Sequence, residues 1–294
     1  MSREVRTDDK PRMQHTPASK FLRSIFTAAA LILFSFTPSA SAKDAAKDAG
    51  KGIAKPNGRI AVKSGDKIAF LGDSITAAGW ENPAGYVRLV MAGLAANGII
   101  AEAVPAGVNG HKSDQMLARL ETDVLGKKPQ WMTLSCGLND VLLGAGGVPL
   151  DEAAAARPGE YDAAVAQRGT FKKNVTQIVE QATAAGVKPV LLTSTVIRED
   201  LDDPRNDRLV PYNDFLRSLA KKKQLPLADL NPLFQNRIRK ENTRDINVLT
   251  TDGIHMNAEG NKLMATGVLQ AFGLDAGQIE KAKAAWAEPR TPGQ

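Results

Sequence analysis

The sequence predicts an α/β fold with a mostly parallel, five-stranded sheet covered by helices on both faces. From Lys67 onward, short apolar runs alternate with amphipathic stretches bounded by caps and breakers. The runs give way to small and polar residues of the Gly, Asn, Asp and Ser type, as buried strands do where they enter turns. Composition agrees: 294 residues with 43% apolar, 24% charged and 5% aromatic side chains have ordinary globular proportions.

The first run, Ile68-Ala69-Phe70-Leu71, ends in the polar turn Gly72-Asp73-Ser74. Asn82-Pro83 is a cap and first-turn pair, and Tyr86, Val87, Leu89, Val90 and Leu94 recur at helical spacing, which predicts a helix over about 83–97. Ile99 to Val104 is the second strand. Ser113 caps a helix carrying Met116, Leu117, Leu120 and Val124, and Trp131 to Cys136 is the third strand. Thr170 to Ala185 is a helix closed by Gly186, and Val187 to Thr195 carries the fourth strand. A helix at 208–223, a strand at 225–229 and a helix at 258–271 complete the series. In open sheets of this kind ligands bind beyond the carboxyl ends of the strands, so the polar clusters just after each apolar run are the places where chemistry is expected.

The N-terminus reads as an address. Residues 24–42 carry no charge, Lys20 and Arg23 precede them, Ile25 to Phe36 form an apolar core, and Ala40-Ser41-Ala42 offers a small-x-small cleavage point. That is the three-part pattern of a secretory signal peptide over 1–42, cleaved after Ala42, with export to a periplasm or the exterior expected. The alternative is a retained anchor, but the apolar core is shorter than the about 20 residues a spanning helix needs. No stable membrane insertion is therefore expected after cleavage. Residues 43–58 are small, charged and Gly-containing, a solvated linker. The folded domain is expected over 59–275, with a C-terminal helix and tail over 276–294.

Charge excludes one class of partner. The 38 basic and 32 acidic residues give +6, but six of the former and three of the latter lie in the first 42 positions, leaving 32 against 29. That balance is too weak for a nucleic-acid footprint. Cys136 is the single cysteine and can neither close an intrachain disulfide nor build a cysteine-rich metal site.

Four clusters at strand ends hold the candidate chemistry: Gly72-Asp73-Ser74-Ile75-Thr76, Gly107-Val108-Asn109-Gly110, Gly137-Leu138-Asn139-Asp140 and Asp252-Gly253-Ile254-His255. A serine hydroxyl needs a base to take its proton, and histidine titrates in the range where it can serve. Only His111 and His255 remain beyond the signal, and Asp252 is close enough in sequence to orient His255. A tetrahedral intermediate further needs hydrogen-bond donors, for which the N–H groups of Ser74 and Gly110 and the amide of Asn139 are suitable.

In their order and separation these clusters resemble the four blocks of SGNH hydrolases, also called GDSL esterases, over residues 67 to about 272. The resemblance implies a flavodoxin-like three-layer α/β/α sandwich and ester hydrolysis with no cofactor and no metal. By position it implies Ser74 as nucleophile, His255 as general base and then acid, Asp252 as the orienting carboxylate, and Ser74, Gly110 and Asn139 as the oxyanion hole. Asn257, Gly260 and Ala265 resemble the family's closing helix. The sequence departs from the family pattern in its second block, Pro105-Ala106-Gly107-Val108-Asn109-Gly110, which is followed by His111.

Blander roles stand beside these. Asp73 and Asp229 fit turn or cap carboxylates, Asn139-Asp140 fits a helix N-cap, His111 an exposed turn residue, and Cys136 a small core residue. Arg198 and Glu199 fit a cleft wall or a solvated loop equally well. Trp80 fits packing against the first helix better than stacking on a sugar. The Gly-x-Ser-x-Gly elbow is absent because Thr76 stands at its last position, and no His-Glu-x-x-His or phosphate-loop motif occurs.

The expected activity is that of an exported serine esterase acting on small-molecule or polysaccharide-linked esters, including O-acetylated sugars. The alternatives are a carbohydrate- or cell-wall-binding protein on the same fold, or a lysophospholipase-type lipid acylhydrolase. Residues 142–169, with a Gly-rich start, two prolines and an Ala-rich middle, interrupt the rhythm and are expected to form a rim or lid loop.

Overall fold

The computed structural model describes residues 59–142, 146–157, 159–161, 163–241 and 247–287. The export signal and linker read over 1–58, and the tail after 287, lie outside the described residues.

Five strands pair in parallel: β1 (Lys67–Gly72), β2 (Glu102–Gly107), β3 (Trp131–Ser135), β4 (Lys188–Leu192) and β5 (Leu227–Ala228), in the order β2-β1-β3-β4-β5. β1 and β3 are buried along nearly their whole length, which is why their sequences are continuous apolar runs and do not alternate. Pro105 lies opposite Phe70 in β2 at the sheet edge, where its missing N–H costs no ladder bond. Pro189 in β4 lies opposite Met132, outside the two-residue stretch that pairs with β5.

Strand order places the site. The chain runs outward from β1 to β2, crosses back past β1 to β3, and continues the other way to β4 and β5. The connections therefore diverge between β1 and β3, and the carboxyl ends at such a switch point are where open sheets bind their ligands. Helices α1 (Ser74–Glu81) and α2 (Tyr86–Ala96) link β1 to β2, and α3 (Ser113–Ala118) and α4 (Leu120–Asp123) link β2 to β3. Next come α5 (Leu138–Leu142), α6 (Glu152–Ala155), α7 (Phe171–Ala184), α8 (Pro204–Lys223), α9 (Leu230–Glu241), α10 (Ala258–Ala271) and α11 (Ala276–Ala287). One layer joins α2 with α10 and α11, and the other joins α7 with α3 and α8. Their apolar faces meet the sheet in one core, with Phe70, Tyr86, Phe171, Phe234 and Phe272 fully buried.

The structure differs from the sequence expectations in several places. A helix starts at Ser74, with the Asp73 carboxylate capping the N–H of Ile75, so what reads as a polar turn is also a helix start. The helix expected from residue 83 begins at Tyr86. The second strand is shifted from 99–104 to Glu102–Gly107, because Ile99 N–H still closes the preceding helix on the Leu94 carbonyl and parallel register pairs Lys67 with Glu102. Ser113 does not cap its helix: Lys112 occupies the cap position, and the buried Ser113 bonds to Asp140 instead. The 208–223 helix begins four residues earlier, where Asp203 is the N-cap, accepting from Arg205 N–H, and Pro204 opens the first turn. The strand expected at 225–229 shrinks to Leu227–Ala228, and α9 follows directly. The described parts of the 142–169 insertion do not overhang freely. Val148, Ala154 and Val165 are buried, the Pro149 and Leu150 carbonyls accept from Phe171 and Lys172 N–H, and Tyr212 Oη donates to the Val148 carbonyl.

Candidate active site

Two close approaches seat α1 on the strand ends. A methyl at Gly72 would lie 2.0 Å from Thr76 Oγ1, and one at Gly107 would lie 2.2 Å from the backbone nitrogen of Ala77. Only hydrogen at both positions lets α1 seat its first turn against the ends of β1 and β2. Ser74 is thereby fixed as the first residue of α1, where its N–H makes no bond within the described residues and the helix dipole is positive.

The Oγ of Ser74 lies 2.9 Å from Nε2 of His255. On the far side of the imidazole, Nδ1 lies 2.6 Å from Asp252 Oδ2. Oδ1 of the same carboxylate accepts from the N–H groups of Ile254 at 2.9 Å and His255 at 2.8 Å. A three-residue Asx-type turn therefore fixes the carboxylate and the ring together. Slight burial pushes the Asp252 carboxyl upward, but the bonds from the His255 side chain and backbone outweigh it and hold the group below the usual carboxylate range. A hydroxyl so placed can pass its proton to the ring while the carboxylate stabilises the resulting cation.

Gly110 and Asn139 follow two further strand ends, those of β2 and β3. Gly110, at φ +73°, holds a left-handed turn whose N–H is unpartnered within the described residues. The Val108 N–H donates to the Gly72 carbonyl, and the Arg119 guanidinium donates to the carbonyls of both Gly72 and Ala106. These bonds tie the glycine turn to the strand that delivers Ser74. Asn139, in the first turn of α5, donates through Nδ2 to the His111 carbonyl at 3.1 Å and makes a long 3.5 Å contact with Asp73 Oδ2. Gly110 and Asn139 thus share one hydrogen-bonded turn.

His111 is not a free surface residue. Its Nδ1 accepts from Arg119 Nε at 3.0 Å, and burial together with the Arg119 charge pushes its pKa down. With Nδ1 accepting, the ring is the tautomer that carries its proton on Nε2. Asp73 is buried beside Ser74; burial raises its pKa to about 6, against the opposing bond from Ile75 N–H and the nearby His255. Asp140 is buried too and raised to about 7 by burial, in spite of donation from the Ser113 hydroxyl and N–H.

Trp80 packs under the Arg88 guanidinium, 3.5 Å from its ring centroid. Asp229 pairs with Arg217 and accepts from Thr193 Oγ1. Asn257 caps α10 through Gly260 N–H, and both Gly260 and Ala265 are buried in that helix. Among the described residues, no group of three or more His, Cys, Asp and Glu is placed to hold a metal ion.

Glu199 and Arg119 are the residues that sequence reasoning undervalued. Glu199 is no solvated loop residue: it accepts four bonds from residues 248–250. For Arg119 the available signal was a cation placed among the apolar positions Met116, Leu117 and Leu120.

Residues 70–263 match the family model of the GDSL-like lipase/acylhydrolase family. An acetylxylan esterase of Geobacillus stearothermophilus is 25% identical over 233 residues, covering 73% of this chain and 97% of that protein. The crystal structure of an acetyl xylan esterase, AlAXEase, superposes with a TM-score of 0.56 at 28% identity, covering 69% of this chain and 97% of the other. LAE5, an α/β hydrolase enzyme from the metagenome of Lake Arreo, Spain, shares the fold with a TM-score of 0.59 at 24% identity, over 74% and 100% of the two chains.

Proposed function

The chain belongs to the GDSL-like lipase/acylhydrolase family and is a carboxylic ester hydrolase; from that premise we propose that it removes short acyl groups, acetyl first, from sugars or polysaccharides through Ser74, His255 and Asp252. The observation that carries this reading is the unbroken chain of hydrogen bonds from Ser74 Oγ through the His255 ring to Asp252.

In the proposed reaction, Ser74 Oγ bonds to the ester carbonyl carbon as its proton moves to His255 Nε2. The carbonyl electrons move onto oxygen, where the N–H groups of Ser74 and Gly110 and the Asn139 amide receive the charge. The Asn139 hydrogen facing Asp73 is the one held only by a long contact, so it is the one available for recruitment. As the carbon–oxygen bond to the sugar breaks, His255 returns its proton to the departing alkoxide and leaves an acyl-serine. A water then gives its proton to His255, attacks the same carbon and releases the carboxylic acid and free Ser74.

Two facts support the substrate class. The His255 and Asp252 side chains are 41% and 52% exposed, so the site lies at an open surface that admits a bulky alcohol. Relatives covering most of the domain carry the name acetylxylan esterase. Export, read from residues 1–42, would deliver the enzyme to polymeric substrate; the substrate is its partner, and no nucleic acid is involved.

The test compares the purified protein with Ser74→Ala, using a serine-reactive fluorophosphonate and p-nitrophenyl esters of increasing acyl length, followed by acetylated xylan. The variant is expected to lose labelling and at least about 10³-fold in kcat/KM, and acetyl is expected to exceed octanoyl. Equal hydrolysis by both proteins removes Ser74 as nucleophile.

A further inference from the structure

The loop that carries Asp252 and His255 is fastened from both sides, and one fastening comes from a different strand end. Three consecutive N–H groups, of Val248, Leu249 and Thr250, donate to the Glu199 carboxylate at 2.6, 2.8 and 2.7 Å. The Thr250 hydroxyl donates to the same carboxylate at 2.7 Å. Successive N–H groups converging on one anion form a nest, and bonds to an ionised acceptor are the strong kind. The carbonyls of the same three residues face Asn257: its N–H donates to the Leu249 carbonyl and its Nδ2 to those of Val248 and Thr250.

The fastening continues into the reactive turn. Thr250 Oγ1, while donating to Glu199, accepts from Gly253 N–H at 3.1 Å, and Gly253 lies between Asp252 and His255. Arg198 N–H donates to the Gly253 carbonyl at 2.7 Å, from a left-handed backbone conformation (φ 60°) that a bulky side chain rarely adopts. The turn then closes on itself through Thr251 N–H to the His255 carbonyl. The Arg198-Glu199 segment is itself locked, since the buried Asn206 of α8 accepts from Ile197 N–H and donates to the Ile197 and Asp200 carbonyls.

We infer that Glu199 is a positioning residue for hydrolysis, holding the 248–255 loop so that His255 Nε2 stays within hydrogen-bond reach of Ser74 Oγ. This rests on the roles proposed above for Ser74, His255 and Asp252. Catalytic geometry is steep, and a displacement near 1 Å costs on the order of 10²-fold in rate. Glu199→Gln keeps the size of the side chain but removes the charge and turns one acceptor into a donor: even with its oxygen kept on Leu249 and Thr250, its NH2 group opposes the Val248 N–H, so the nest cannot close fully.

The experiment measures p-nitrophenyl acetate hydrolysis, the fluorophosphonate labelling rate and thermal unfolding for wild type, Glu199→Gln, Thr250→Val, Asp252→Asn, Ser74→Ala and the Glu199→Gln/Asp252→Asn double variant. Glu199→Gln is expected to lower kcat and labelling about 10- to 100-fold with KM within about threefold. In the Asp252→Asn background it should add less than about threefold, because the alignment it protects is already lost. Thr250→Val, which removes one bond to Glu199 and the link to Gly253, should fall between Glu199→Gln and wild type, and it carries the test if Glu199→Gln does not fold. Wild-type kcat and labelling in a folded Glu199→Gln or Thr250→Val, or an undiminished Glu199→Gln effect on top of Asp252→Asn, overturns the inference. Retained activity in Ser74→Ala would overturn the assignment of the site itself, a different result.

Discussion

Asp252 uses both of its oxygens within a single turn, Oδ1 for the N–H groups of Ile254 and His255, and Oδ2 for the His255 imidazole. An amide offers one acceptor, so Asp252→Asn must surrender either the turn or the ring. The expected loss in kcat is about 10²- to 10⁴-fold with little change in KM. Because the Asp252 side chain is 52% exposed, water can partly replace it in Asp252→Ala, which should lose less than Asp252→Asn. Steady-state kinetics of the two variants checks the order; Asn milder than Ala would mean that the carboxylate does not set the ring.

Acid should stabilise this protein through part of the range where most proteins lose stability. Burial lifts Asp140 to about 7 and Asp73 to about 6, above the usual unfolded value of about 3.9. The sign follows: the native state binds these protons more tightly, so their contribution is complete below about pH 4 and is lost as pH rises through 6 and 7. Asp151, Asp203 and Asp252 are held low and act in the opposite sense, losing their contribution only below about pH 4. Thermal unfolding between pH 5 and 8 should show Tm falling as pH rises. Asp140→Asn keeps an acceptor for Ser113 and carries no charge, so it should flatten that slope; an unchanged slope would show that Asp140 does not titrate there.

Much of this was legible in the sequence, and for a physical reason. Continuous apolar runs and capping residues reflect burial and local backbone chemistry, which sequence spacing records directly, so β1, β3, α7 and α10 fall close to expectation. Of the candidate residues, Ser74, Gly110 and Asn139 come just after β1, β2 and β3, as expected of a parallel sheet, whereas Asp252 and His255 lie in a loop after α9 and not at a strand end. Long-range polar contacts were not: nothing adjacent to Glu199 announces that its partners lie 49 to 51 residues on. The early start of α1 was hidden because Asp73-Ser74 suits both a turn and a helix cap, and only the close packing at Gly72 and Gly107 shows that a helix is seated there.

Arg119 links three strand-end features at once. It donates to the Gly72 and Ala106 carbonyls and to His111 Nδ1, and pairs with Asp123. Arg119→Met keeps much of the stem but removes a donor from the Gly72 and Ala106 carbonyls and from the His111 ring nitrogen, with Gly72 keeping only its bond from Val108 N–H, at an expected cost of about 1–3 kcal/mol. Lysine restores the charge and not the fork, so Arg119→Lys should recover less than half of that loss. Denaturant unfolding measures both; full recovery by lysine would reduce the role of Arg119 to its charge.

Cys136 separates a serine mechanism from a thiol one. It follows the last residue of β3, immediately before Gly137 and three residues before Asn139, close enough to the site that a thiol reagent could be suspected of acting on catalysis. The residue is 3% exposed, however, and burial, reinforced by the carboxyls of Asp140 and Asp73, pushes its thiol well above the ordinary range. Thiolate is the reactive form, so the native protein should resist both iodoacetamide and an aromatic disulfide reagent at pH 7.5, and should react with one equivalent only after unfolding. Activity should survive that treatment and be lost to the fluorophosphonate. Rapid loss of activity on native alkylation would mean that Cys136 is reached in the folded state, and that the β3 end opens far more than its packing against Ser194, whose hydroxyl donates to the Cys136 carbonyl at 2.9 Å, allows.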